Sequence, residues 1–241
     1  PQEVAAILIE PIQGEGGYLV PPDSFLPGLR DLCDRYDILL IADEVQTGLG
    51  RTGSHFWGFE TQAVVPDIVT MAKGMGNGAP LAAVVTTPQI AEALTQRIHF
   101  NTFGGNPVSC AMGKAVLEVI DRERLQQNAL EVGAHLEEGL RRLIDKHSIM
   151  GEVRGKGLMM GLELVKDRST KEPAKEECAR VFERTKEMGL LIGKGGLYGN
   201  VIRLAPMLNV TTDELDGRGG GHGIDGRLEC LYGRRLHGGG L

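Results

Sequence analysis

Two side chains thirty residues apart could do chemistry together: Asp43 in the segment LLIADEVQTG (residues 39–48) and Lys73 in PDIVTMAKGMGNG (66–78). Each follows a short apolar run that reads as a buried strand. An amine at the carboxyl end of one strand can form a Schiff base with an aldehyde. A carboxylate at the end of another can keep a pyridine nitrogen protonated, so that the ring draws electrons from what is attached to it. Gly74, Gly76 and Gly78, directly after the lysine, let backbone approach a bound group closely. The pair is the arrangement that pyridoxal 5'-phosphate requires. Taken singly, neither residue is unusual. Most lysines lie at the surface, and an acid after a strand is commonly a solvated loop carboxylate or a Walker-B-like acid. No Gx4GK[ST] phosphate loop accompanies Asp43.

Other motifs carry less. GLGRTG (48–53) matches GxGxxG letter for letter, but that fingerprint needs a strand running into the glycines and a helix opening from them. Here a polar stretch intervenes, and SHFWGF (54–59) is not a helix start. There is no HExxH, and the six histidines are scattered, so no metal site is expected. The net charge of −6 comes without a basic block in the body of the chain, which argues against a nucleic-acid partner. No apolar run reaches the ~18 residues of a membrane span. The cysteines, Cys33, Cys110, Cys178 and Cys230, form no CxxC and read as free thiols of a reducing compartment.

The elements that must position Asp43 and Lys73 follow from periodicity. VAAILI (4–9) and ILLIA (38–42) are continuous apolar runs suited to strands buried on both faces, and Pro22–Tyr36 between them has helical spacing. Strand, helix, strand makes a βαβ unit and a mostly parallel sheet. Ile68–Ala72 and Ala82–Thr86 are further strands, and Pro88–Arg97 and Pro107–Ile120 are helices opened by proline. These make residues 1–122 one α/β domain. Residues 123–216 read as a smaller α+β domain. It has a long charged helix over Arg124–His147, strand character over Glu152–Lys166 around a glycine-rich turn at Arg154–Gly157, and a helix over Glu172–Met188 stopped by Gly189. Short strands are expected at Leu190–Ile192 and Val201–Leu204.

Residues 217–241 are different in kind. Ten of these 25 residues are glycine and four are arginine, a composition predicted to stay disordered because it cannot offset its ordering entropy by burial. An RGG-type tail, with its single Arg-Gly-Gly at 218–220, and an altered reading frame after Asp216 are the other readings. The chain opens Pro-Gln-Glu-Val with no initiator methionine or targeting segment, and a fragment or a processed start is expected.

Four segments together, IEPIQGEG (9–16), IADEVQTG (41–48), PDIVTMAKGMGNG (66–78) and FNTFGGNP (100–107), resemble the class III pyridoxal-phosphate aminotransferases. The resemblance runs to about residue 216. GSHFWGF (53–59), VTMAKG (69–74) and VRGKGLM (153–159) are similar to the organellar alanine–glyoxylate branch, with the phosphoethanolamine phospho-lyases as near relatives. The resemblance implies a fold-type-I enzyme, with part of a large, mostly parallel domain and a smaller carboxyl-terminal domain. It further implies a homodimer with shared active sites and a mitochondrial location.

By the same resemblance, Asp43 pairs with the pyridine nitrogen, and Lys73 forms the Schiff base and shuttles the proton. Gln46 hydrogen-bonds the ring hydroxyl, Val45 packs on a ring face, and Thr102 reaches the cofactor phosphate of the other subunit. Glu10 and Glu15 lie on the substrate side. Arg203, in NVIRLAP (200–206), matches the arginine that grips a substrate α-carboxylate, a task that suits a planar guanidinium. The implied reaction is amino transfer from an amino acid, alanine foremost, to a keto acid, glyoxylate foremost. Arg203 speaks against a phospho-lyase, whose substrate has no α-carboxylate. Glu15 leans toward ornithine- or 4-aminobutyrate-type enzymes, where a glutamate can neutralise that arginine. The family's amino-terminal part, with its phosphate loop and ring-stacking aromatic, is not among these residues. An exposed apolar face and a truncated, non-catalytic product are therefore also expected readings.

Overall fold

The computed structural model describes residues 3–217. The expectation of disorder for residues 217–241 falls, from residue 218 onward, outside the described residues. Gly217 itself caps a helix in a left-handed conformation (φ +73°). The chain divides into two compact units. One comprises the residues up to Ile12 with Pro21–Gln127, and the other comprises Gln13–Val20 with the chain from Asn128 onward.

The first unit holds a four-stranded sheet in the order β1-β2-β3-β4, formed by β1 (Ala6–Ile9), β2 (Leu39–Asp43), β3 (Ile68–Met71) and β4 (Ala83–Thr86). β1, β2 and β3 are parallel, and β4 runs antiparallel to β3. Helix α1 (Phe25–Tyr36) makes the β1-to-β2 crossover and ends at Asp37, whose left-handed backbone (φ +53°) turns the chain into β2. Leu26 and Cys33 of α1 bury against Leu40 and Val64, with Ile7 and Ile9 partly buried beside them.

Polar groups tie the same elements. Asp67 Oδ2 accepts from the Leu40 amide (2.7 Å) and from Arg30 Nη1 of α1 (2.8 Å). Burial acts to raise the Asp67 carboxyl, but the Leu40 amide and Arg30 outweigh it and hold it below its ordinary value. Helices α2 (Pro88–Leu94) and α3 (Pro107–Arg122) follow, each opened by proline and capped by the side chain of Thr87 or Asn106.

The strands of this unit are not covered on both faces, as the apolar runs suggested. Leu40 and Ala42 are buried, while Leu39 and Ile41 are only half so, and Leu8 is 62% exposed. Val84, Val85, Ile98, Phe100 and Phe103 are also exposed, so the expected open apolar face is present.

The second unit holds most of α4 (Leu125–Lys146) and an antiparallel sheet in the order β5-β6-β8-β7. Its strands are β5 (Met150–Lys156), β6 (Met159–Leu164), β7 (Gly193–Gly195) and β8 (Val201–Leu204), with α5 (Lys175–Glu187) and α6 (Thr212–Asp216). Leu136, Leu140, Met160, Leu162, Leu164 and Ile202 are at most 1% exposed within one continuous core.

Two local expectations are corrected here. Arg154 and Gly155 lie inside β5, so the hairpin turns at Gly157 and Leu158 rather than at Arg154. The strand expected at Leu190–Ile192 is instead β7, three residues later. Leu191 is 84% exposed. Gly193 and Gly195 lie in this edge strand, where a Cβ would come within about 3 Å of the Arg203 side chain and only glycine fits. Cys33, Cys110 and Cys178 are free, and burial pushes the Cys178 thiol up to about 11. Among the described residues, no helix is long and apolar enough to cross a membrane, and no cluster of three or more metal-ligating side chains occurs.

Candidate active site

The register of β2 and β3 sets Asp43 opposite Thr70, and Lys73 follows three residues later. Both groups therefore emerge from the carboxyl ends of neighbouring parallel strands, where open α/β sheets bind ligands. Asp43 is half-buried, and its Oδ1 accepts from the Val45 amide (3.0 Å). Lys73 begins a one-turn 3-10 helix, Lys73–Met75, and carries a left-handed backbone (φ +44°). Its exposed side chain lines an open cavity of about 530 Å³ with Gly74, Asn77, Gly78, Ala79 and Pro80. An exposed amine at such a cavity can reach an aldehyde, and a half-buried carboxylate one strand away can pair with a ring nitrogen. Both residues fit pyridoxal phosphate.

Between them, Val45 and Gln46 are half-buried on a loop held by a residue that sequence reasoning left without a role. Glu44 is 1% exposed. Its Oε2 accepts from Thr47 Oγ1 (2.7 Å) and the Gly58 amide (2.8 Å), and its Oε1 accepts from the Phe59 amide (2.8 Å). Burial pushes its carboxyl up, against the lowering effect of these three donors. Glu44 thus fastens the loop bearing Val45 and Gln46 to residues 58 and 59. Its neighbour Asp43 gave no signal for telling the buried acid from the functional one. GLGRTG (48–53) is a run of turns with no helix opening from it, as its setting predicted. Thr102 is exposed on the turn before α3, and Glu10 is half-buried just after β1.

The remaining two candidates, Glu15 and Arg203, meet within the second unit. Arg203 Nη1 donates to Glu15 Oε1 (2.6 Å) and to the Gly14 carbonyl (3.1 Å). Its guanidinium lies 5.7 Å from the Tyr18 ring centroid, a cation–π arrangement. Its Nε is buried without a hydrogen-bond partner, a donor that a carboxylate ligand would satisfy. Tyr18 was not foreseen; among glycines and without periodicity it gave no signal.

Residues 1–218 match the family model described as aminotransferase class-III, and the chain belongs to that family, whose cofactor is pyridoxal phosphate. It is 54% identical over 213 residues to "Alanine--glyoxylate aminotransferase 2 homolog 2, mitochondrial" of Arabidopsis thaliana, covering 88% of this chain and 44% of that protein. Among solved structures, an amine transaminase from an uncultivated Pseudomonas species, in its PLP-bound form, superposes with TM-score 0.87 at 40% identity. That match covers 97% of this chain and 53% of the other. A phospholyase from Arthrobacter in complex with phosphoethanolamine gives TM-score 0.89 at 35% identity, covering 96% and 54%. The fold is therefore that of a fold-type-I pyridoxal-phosphate transferase. The chain spans less than half the length of the Arabidopsis relative.

Proposed function

We infer that this chain is the part of a pyridoxal-phosphate aminotransferase that carries the Schiff-base lysine and the substrate arginine, acting on an amino acid and an α-keto acid. Alanine and glyoxylate are the pair suggested by the name of the Arabidopsis relative. The observation that carries this reading is Lys73, exposed at a glycine-lined cavity and one strand away from Asp43. When bound, the cofactor supplies an electron sink that weakens the bonds at the substrate α-carbon.

The chain's own residues do the rest. Asp43 holds a proton on the ring nitrogen by charge pairing. Lys73 Nζ would take the proton from the substrate α-carbon and hold it for the next transfer. Val45 and Gln46, on the loop fastened by Glu44, orient the ring. Arg203 grips the α-carboxylate through its guanidinium fork. Thr102 at a cofactor phosphate, Glu10 on the substrate side, a homodimer with shared sites and a mitochondrial location complete the proposal. Sedimentation and cell fractionation test the last two.

A second reading is favoured by one bond. The 2.6 Å contact between Glu15 and Arg203 neutralises the arginine, which suits donors that carry their amine far from a carboxylate, as in ornithine- or 4-aminobutyrate-type transamination. The phospho-lyase reading has less support, because Arg203 would face a substrate without an α-carboxylate.

The test is Lys73→Ala in the complete protein with added pyridoxal phosphate. Unaltered protein is expected to show a visible Schiff-base band and amino transfer from alanine to glyoxylate. The variant is expected to lose the band, and the transfer should fall by several orders of magnitude, roughly the effect of removing a covalent catalyst. A normal visible band in the variant would sink the assignment.

A further inference from the structure

Glu15 and Tyr18 reach Arg203 because the loop Gln13–Val20 lies on the sheet of its own unit. The loop is a tight hairpin: the Gln13 amide bonds the Leu19 carbonyl (3.0 Å), the Leu19 amide bonds that of Gln13 (3.3 Å), and the Gly17 amide bonds that of Gly14 (3.1 Å). It turns through left-handed backbone at Gly17 and Tyr18 (φ +97° and +56°).

Beneath it runs one cross-strand row. Arg154 of β5 is paired with Gly161 of β6, and Gly161 with Arg203 of β8, so these side-chain positions share a face. The glycine in the middle admits the loop, since a Cβ on Gly161 would sit 2.8 Å from the Gly17 carbonyl oxygen. An arginine on either side then holds it. Arg203 takes the Gly14 carbonyl and Glu15, and Arg154 Nε donates to the Gly17 carbonyl (2.9 Å). The Gly196 amide takes the Glu15 carbonyl (3.0 Å).

The two arginines are not equivalent. Arg203 has a buried Nε without a partner. Arg154 is 8% exposed at the side chain and is engaged by two carboxylates, Glu152 (2.6 Å) and Glu163. Asn200 Nδ2 in turn donates to Glu163 (3.3 Å). With its charge matched on its own sheet, Arg154 is a bracket rather than a ligand-binding group.

We propose that Arg154 is a positioning residue for substrate choice: through the Gly17 carbonyl it holds Tyr18 and Glu15 against Arg203, and so sets how far Arg203 is screened. This rests on Arg203 being the carboxylate-binding group inferred above. A donor with an α-carboxylate must displace Glu15 from Arg203. A donor whose amine is remote from its carboxylate reacts with the pair intact. Loosening the loop therefore favours the first class over the second.

The decisive variant is Arg154→Lys in the complete protein, which keeps a positive charge near Glu152 and Glu163 but removes the Nε donor. In the apoprotein, hydrogen exchange at the Gly17, Leu19 and Gly196 amides is expected to speed up, while amides of β6 do not change. In the holoenzyme, the ratio of kcat/KM for alanine to that for 4-aminobutyrate is expected to rise about three- to tenfold, the size of one hydrogen bond. Glu15→Gln should move the ratio the same way. Adding Arg154→Lys to it should give little further change, because the first residue acts through the second.

Gly161→Ala presses on the same carbonyl without touching a charge, and must also raise the ratio; it decides the matter if Arg154→Lys does not fold. An active protein whose ratio is unmoved, or in which the Arg154 and Glu15 effects simply add, overturns the proposal. If the unaltered protein transaminates no donor, the functional reading fails and this proposal with it. That result is distinguishable, because failure of the proposal alone leaves the activity intact.

Discussion

Among the described residues, eighteen buried apolar side chains on α4, α5, α6, the sheet and their connections pack into one cluster in the second unit; in the first, a sheet of the same number of strands gathers four. The apolar residues that the first unit leaves open are large: Ile98 is fully exposed and Phe100 and Phe103 are about four-fifths so. What holds the first unit is in good part polar. Asp67 ties α1 to β2, and Glu44 fastens the loop after β2 to residues 58 and 59. The unit that carries Lys73 and Asp43 is thus braced by directional bonds, and those of Glu44 lie directly beside Asp43. The unit that carries Arg203 is a closed core with its site on one face of a sheet. Rigidity of a site can come from either source, but the two respond to different insults.

Deleting core volume should mark the contrast most strongly. Leu140 is fully buried in the second unit, and Leu140→Ala is expected to cost about 2–5 kcal/mol in denaturant unfolding. An acid should act on the first unit. Asp67 has a lowered carboxyl in the folded chain. Its contribution is fully present above the unfolded value of about 3.9 and is lost as pH falls through the lowered folded value. Asp67→Asn should cost about 1–2 kcal/mol at neutral pH, in the lower part of the range for a charged hydrogen bond because both partners are partly solvated. It should also flatten the loss of stability in acid, read as Tm against pH. The smallest effect is expected at Val85, 55% exposed on β4. Val85→Thr should change stability by no more than about 0.5 kcal/mol. A cost well above that in the complete protein would mean that this face is covered in solution, and the contrast between the units would narrow.

The same contrast explains what could be read in advance. The strands of the first unit were legible because LLIAD and DIVTM are apolar runs with polar ends, and Asp43 and Lys73 stood out as those ends. That only one face of β1 and β2 is packed was not legible, since an apolar run looks the same whether or not something covers it. In the second unit, Leu190–Ile192 looked like a strand because it is apolar. The pairing falls on Gly193–Gly195, where the backbone passes close to Arg203, and a close approach leaves no hydrophobic trace. Arg203 was visible only through its segment NVIRLAP. Arg154 was visible as a turn residue and is in fact a strand residue whose partner, the Gly17 carbonyl, lies 137 positions away.

The left-handed backbone at Lys73 (φ +44°) has a separate consequence. An L-residue with a side chain gives up about 1–2 kcal/mol to stand there, and glycine gives up almost nothing. Selection for durability of the cofactor-free chain alone would therefore erase the amine. A library screened only for heat resistance in the absence of pyridoxal phosphate should enrich Lys73→Gly, returning proteins that are harder to melt and catalytically silent.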